Sequence, residues 1–130
     1  MKYECNYNPN LNAIEVSTHG AADLATLIEM LHRIADLCLQ ERSANVLLDH
    51  SELDATHLTM ENVERLSLDT VSLKDIFKMR KCANVVAKDY QFGLVRAWEI
   101  MLDIKGFTDV ETTIFKNREE AIEWIKVKRI

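Results

Sequence analysis

Two short apolar runs constrain the fold of this chain more than any other feature. Residues 44–49 (Ala-Asn-Val-Leu-Leu-Asp) and 82–87 (Cys-Ala-Asn-Val-Val-Ala) are continuous rather than alternating, the pattern of strands covered on both faces. The segments around them have helical spacing instead. Residues 22–41 carry Leu24, Leu27, Ile28, Leu31, Ile34, Ala35 and Cys38 on one side of the wheel, with Asp23, Glu29, Arg33 and Asp36 elsewhere. Residues 59–79 read as helix through Val63, Leu66, Thr70, Leu73 and Phe77, with Thr59 as N-cap. Thr70-Val71-Ser72 is a weak stretch for helix, which leaves a division into two helices open. Asp89 is expected to cap a further helix carrying Phe92, Val95, Trp98, Met101 and Leu102, and Gly106 to stop it.

The ends of the chain alternate. In residues 2–7, Tyr3, Cys5 and Tyr7 oppose Lys2, Glu4 and Asn6, and residues 12–18 set Ile14 and Val16 against Glu15 and Ser17. Asn8-Pro9-Asn10 between them is a turn signal, so the two strands form a hairpin. Residues 109–115 alternate as a last strand, and Asn117-Arg118-Glu119-Glu120 resembles a capping box opening a final helix. In that helix Ala121 and Trp124 are expected against the last strand, with Glu119, Glu120 and Glu123 in water. The order ββαβαβαβα predicts a largely parallel sheet with right-handed crossovers. The expectation is one α/β domain over residues 1–130, a five-stranded mostly parallel sheet with an N-terminal antiparallel hairpin strand. Four to five helices lie mainly on one face, as a βα superhelix.

Composition narrows the function classes. One proline and three glycines leave no linker or repeat to mark an internal boundary. A formal net charge of −5 offers no basic stripe for nucleic acid. The basic clusters Lys78, Arg80, Lys81 and Lys126, Lys128, Arg129 are read as helix-end decoration, cations against the negative pole of a dipole. No apolar run reaches membrane-span length, and Met1-Lys2-Tyr3-Glu4-Cys5 has no apolar signal core, so a cytoplasmic location is expected. Cys5, Cys38 and Cys82 are odd in number and far apart, which fits neither a zinc ribbon nor a redox dithiol. Cys38 and Cys82 read as small buried hydrophobes.

Three segments carry a resemblance. They are Asn45-Val46-Leu47-Leu48-Asp49-His50-Ser51-Glu52-Leu53, Arg80-Lys81-Cys82-Ala83-Asn84-Val85-Val86, and Phe115-Lys116-Asn117-Arg118-Glu119-Glu120-Ala121-Ile122-Glu123-Trp124-Ile125. In this order they resemble the STAS and SpoIIAA-like families, over nearly the whole chain. The resemblance implies a regulatory or interaction module without enzymatic activity. It places the expected contact surface at the helix starting near Thr59 and the loop before it. Anti-sigma-factor antagonists of this family carry an Asp-Ser pair at the start of that helix; here the positions are His57 and Leu58. The chain is thus similar to the divergent SpoIIAA-like branch.

Ligands of parallel sheets tend to bind beyond the carboxyl ends of the strands. There the polar run from Asp49 to His57 stands out, and Asp49, Ser51, Asp54, Thr56, His57 and Thr59 are the candidate binding residues. The alternative is that these side chains only hold Asx and ST turns. His50 and His57 with Asp49 and Asp54 match no metal-ligand spacing. Ser51 has no G-x-S-x-G elbow, so an enzyme using the Asp49–His57 loop is a remote alternative. No phosphate-cradling glycine loop exists, and no cofactor or metal is expected. Phe77, Phe92, Trp98 and Met101 line either plain core or a cavity between sheet and helices, suited to an apolar small molecule or lipid. The expected partner is thus a protein or an apolar small ligand; a homodimer is equally open.

Leu58 offers no hydroxyl, and Thr59 is expected to spend its own on capping. Phosphopeptide mapping from the native host should therefore find no stoichiometric phosphate in this segment. Phosphate on Thr56 or Thr59, lost together with partner binding in a Thr→Ala variant, would restore the switch.

Overall fold

The computed structural model describes residues 1–127. They form β1 (Lys2–Asn8), β2 (Ala13–Ala21), α1 (Leu24–Gln40), β3 (Asn45–Asp54), α2 (Met60–Ser72), α3 (Lys74–Phe77), β4 (Lys81–Val85), α4 (Asp89–Ile104), β5 (Glu111–Phe115) and α5 (Arg118–Lys126). The sheet order is β1-β2-β3-β4-β5, with β1 antiparallel to β2 and the other pairs parallel. Each new strand is added on the same side. Right-handed crossovers therefore place every connecting helix on one face.

Burial follows the two-residue period of the strands. Ile14, Val16, Val46, Leu48 and Cys82 share a core with α1, Phe77 of α3 and Leu102 of α4. Ala13, Leu47, Ala83 and Val85 point the other way, onto Ala121 and Ile125 of α5. Both central strands are thus covered twice, which is why their sequences run apolar without alternation. The helices lie mainly on one face, as expected, with α5 alone behind.

Local chemistry sets the ends of the elements. Thr59 caps α2 with a reciprocal pair: its oxygen accepts from Asn62 N–H at 3.1 Å, and Asn62 Oδ1 accepts from Thr59 N–H at 3.1 Å. The weak Thr70-Val71-Ser72 stretch does end α2, and α3 follows as a single turn. Asn117 Oδ1 accepts from Glu120 N–H at 2.8 Å and opens α5. Gly106, at φ +85°, closes α4. Its N–H donates to Asp103 O and that of Phe107 to Leu102 O, the pairing of a Schellman motif.

Several expectations need correction. Asp89 is not a cap but the first residue of α4; Lys88 holds the cap position and Asp89 pairs with Lys116 Nζ at 2.6 Å. Trp124 is half-buried, not buried; Lys81 Nζ lies 4.9 Å from its ring centroid and the Phe115 ring 5.7 Å away. Strand β3 runs on to Asp54 instead of ending at Asp49. A bulge allows this: Ser17 pairs with Asp49 but His19 pairs with Glu52, so His50 and Ser51 together oppose Thr18.

Arg80 and Lys81 are buried, not surface decoration. Each does face a helix C-terminus, but of a helix distant in sequence. Lys81 Nζ donates to Trp124 O and Val127 O at the end of α5. Arg80 donates from Nη2 to Cys38 O (2.9 Å), from Nη1 to Glu41 O (3.1 Å) and Ala44 O, and from Nε to Ile76 O (3.1 Å). One guanidinium thereby supplies donors to carbonyls at the end of α1, in the turn after it and in α3, of which Glu41 O also accepts from Ala44 N–H. Lys126 lies in the last turn of α5, whereas Lys128 and Arg129 fall outside the described residues.

Replacing Arg80 by Met keeps the apolar stem and removes every guanidinium donor from these carbonyls, leaving Glu41 O only its bond from Ala44 N–H. The expected loss is about 3–5 kcal/mol in urea unfolding, as for breaking a buried charged network. Arg80→Lys should recover only part of it, because an ammonium lacks the planar fork. A Met variant within about 0.5 kcal/mol of the parent, the usual effect of a surface change, would remove Arg80 from this role.

Candidate functional site

The helical layer does not close fully on the sheet. A partly enclosed cavity of about 130 Å³ lies between them. Its floor is Val46 and Leu48 of β3 and Cys82 of β4. Its walls are Leu27, Leu31 and Ile34 of α1, Val63 and Leu66 of α2, and Leu94, Val95 and Trp98 of α4. Phe77 and Phe107 complete one end, and His50, Leu53 and Gln91 the other.

Most polar groups on this wall are already bonded. Asn84 Nδ2 donates to Thr113 O at 3.5 Å, and Thr70 Oγ1 to Leu66 O at 2.7 Å. Gln91 is used fully. Its Nε2 donates to His50 O (3.0 Å) and Leu53 O (2.9 Å), and its Oε1 accepts from Ala87 N–H (2.8 Å) and Lys88 N–H (2.9 Å). Tyr90 adds its hydroxyl, which accepts from Ala55 N–H and donates to Leu53 O. The far end of β3 is thereby tied to the start of α4. Arg80 reaches the wall, but its donors serve the carbonyls named above. Trp98 differs. Its Nε1 is buried and has no hydrogen-bond partner among the described residues. Such a donor costs about 1–3 kcal/mol where nothing receives it.

His50 lines the cavity because of the bulge. Thr18 Oγ1 sits 2.8 Å from its Nδ1 and 3.3 Å from Asp49 O. Loss of water around the imidazole pushes its pKa from 6.5 down to about 4, against a smaller opposing pull from the Asp49 charge. Burial also raises the thiols, Cys38 to about 11 and Cys82 to about 12, so both stay protonated and inert at neutral pH.

The polar candidates from the sequence lie elsewhere. Asp49 Oδ1 accepts from Ser51 N–H (3.0 Å) and Oγ (2.7 Å), and Asp54 Oδ1 from Thr56 N–H (3.0 Å) and Oγ1 (2.6 Å). Those bonds hold Asp54 below the usual carboxylate range. Thr59 is occupied as a cap and His57 is exposed. None of the six lines the cavity; His50, Leu53, Ala55 and Leu58, interleaved with them, do. Of the four apolar candidates, Phe77 and Trp98 line it. Phe92 is 40% exposed and Met101 lies outside the lining, because the inward stripe of α4 runs through Gln91, Leu94, Val95 and Trp98. Among the described residues, no three His, Cys, Asp or Glu side chains are placed to hold a metal ion. No described helix is long and apolar enough to cross a membrane.

The histidine gives a pH signature. In the unfolded chain His50 takes up its proton near pH 6.5; in the fold it stays neutral down to about 4. Stability should therefore fall as pH drops through that window and level off below it, by on the order of 3 kcal/mol at most. His50→Asn, which can keep the bond to Thr18, should flatten this part of the curve. Parallel stability–pH curves for parent and variant would disprove the assignment.

No curated protein matches the sequence. The family model described as SpoIIAA-like matches residues 13–126, from the second hairpin strand to the last turn of α5. That match covers every parallel strand, every helix and the whole cavity, and the chain accordingly belongs to the SpoIIAA-like family.

Proposed function

We propose that this domain is a non-enzymatic binding module whose ligand is a small apolar molecule held between the sheet and the helices α1, α2 and α4. The observation that carries the reading is the cavity itself. Space left unfilled against apolar walls forfeits packing contacts that a close-packed core makes. An occupant supplies the missing contacts and returns that energy as affinity. For scale, an engineered apolar cavity of about 150 Å³ takes up benzene. Membership of a family similar to regulatory STAS modules supports a signalling use of occupancy. Helix α2 is a suitable reporter: Val63 and Leu66 face the cavity, while Met60 and Leu68 stand about half exposed on its outer side.

Benzene and toluene are direct probes. Saturating toluene should raise the melting temperature by several degrees, since about 1 kcal/mol is worth 2–8 °C in a chain of this size. Val95→Phe, which fills space on the α4 wall, should abolish the toluene response. Native mass spectrometry of freshly purified protein should show a co-purified small molecule in the parent and none in Val95→Phe. An unchanged melting temperature with both probes, and no adduct in the parent, would end this reading.

A further inference from the structure

The polar end of the cavity has a chemical sense. His50 follows Val46 and Leu48 on the inward face of β3, and all three line the cavity. Its imidazole is packed closely enough to lose most of its hydration, yet the residue keeps accessible surface. That combination turns its open side to the cavity and not to bulk water. No described residue bonds Nε2, and unlike Trp98 Nε1 the atom is not sealed off by protein. Thr18 sets which proton the ring carries. Its hydroxyl has one hydrogen and two neighbours, Asp49 O at 3.3 Å and His50 Nδ1 at 2.8 Å. Both contacts are bonds only when the hydroxyl donates to Asp49 O and accepts from Nδ1–H. Nε2 is then the bare lone pair of a neutral ring, an acceptor. Asn84, in register with Leu48 on β4, has the same sense. Its Nδ2 donates to Thr113 O at 3.5 Å, which leaves Oδ1 as the end without a partner. Thr112, in register with Cys82 on β5, carries a hydroxyl that serves as donor or acceptor alike and does not choose between ligands.

We propose that His50 Nε2 accepts a hydrogen bond from a hydroxyl on the ligand, so that the cavity takes an uncharged, ring-sized compound of the phenol class. This rests on the cavity being a ligand site and adds the group that orients the occupant. The volume of about 130 Å³ admits a ring with a short substituent, not an extended acyl chain. Selection comes from a differential term. A hydrocarbon leaves the imidazole lone pair dry and unpaired, and an ether or ketone sets acceptor against acceptor. A hydroxyl pairs it. Thr18 is then a positioning residue, which fixes the tautomer without touching the ligand.

Phenol and toluene, nearly equal in shape, are the probes. Calorimetric titrations give the affinity ratio of phenol to toluene in the parent and in His50→Phe. The cost of taking the hydroxyl out of water is common to both proteins and cancels, as does the change of cavity size. The ratio should fall about five- to tenfold in His50→Phe, the worth of one hydrogen bond. Long-range nitrogen-15 spectra of the parent give a second readout, which stands even where His50→Phe does not fold. In the free protein Nε2 of His50 should be the unprotonated nitrogen. Its resonance should move upfield with phenol and not with toluene, while the exposed His19, His32 and His57 stay in place. A protonated Nε2 in the free protein would overturn the acceptor assignment. So would an equal ratio in parent and variant, or an Nε2 resonance that phenol leaves unmoved. Toluene binding in any of these cases leaves the ligand site intact. Failure of both probes to bind the parent would bring down the site and this selectivity together.

Discussion

The helical layer hangs from a buried guanidinium. Arg80 stands at the start of β4 and donates to carbonyls at the end of α1, in the following turn and in α3. Those carbonyls belong to segments that arrive from different parts of the chain. Glu41 O also has Ala44 N–H, but without the guanidinium Cys38 O would lose its donor where the first crossover meets the second. A hydrophobic residue could fill the space but could not fix the direction in which α1 terminates. Lys81, the next residue, does the same on the opposite face for α5. Two adjacent cations on a strand thus point to opposite faces and anchor the two helical layers separately. The alternation that sorts apolar side chains here sorts charges as well.

The cavity depends on a second constraint, at the other end of the sheet. The bulge at His50 and Ser51 lets β2 and β3 continue beyond the end of β4. That overhang brings His50 and Leu53 to the helix side. Gln91 then clamps its backbone to the start of α4 with bonds at 2.9 and 3.0 Å. The apolar core is therefore held at both ends by polar clamps, Arg80 at one and Gln91 at the other. Between them α2 and α4 are tied across by Lys105 Nζ to Glu64 Oε1 at 2.8 Å, a partly exposed pair of modest worth. The strong polar interactions fix the ends of the space, and its middle is left to side-chain size.

The layout of the fold was legible because its signals are local and repeat. The runs at 44–49 and 82–87, the helical spacing around them and the caps at Thr59 and Asn117 each report directly on backbone conformation. What escaped reading depends on partners distant in sequence. Arg80 and Lys81 look like surface charges because nothing nearby says that the carbonyls of residues 38–44 and 124–127 will meet them. The segment 49–57 looks like a polar loop because the bulge shifts its period: Val46, Leu48 and His50 face inward, and the inward series resumes one step late at Leu53 and Ala55. Its polar members are conspicuous in sequence, yet they close local turns. The inward ones are mostly plain aliphatics, which carry no chemical flag. Gln91 is hidden in the same way. Its four bonds all go to backbone, and backbone positions are not written in the side chains of neighbours.

Trp98 shows how far side-chain identity can be pressed once the partners are known. The indole is the most demanding aromatic to bury, since its N–H must find an acceptor that phenylalanine does not need. Asn84, Gln91 and Thr70 on the same wall all find theirs within the chain. A core selected for stability alone would place a hydrocarbon at this position, and would close a gap of about 130 Å³ with larger side chains on α2 or α4. Here the space is left unfilled, and Trp98 Nε1 is enclosed by protein with no partner among the described residues. Each alone is a small loss that many folds tolerate.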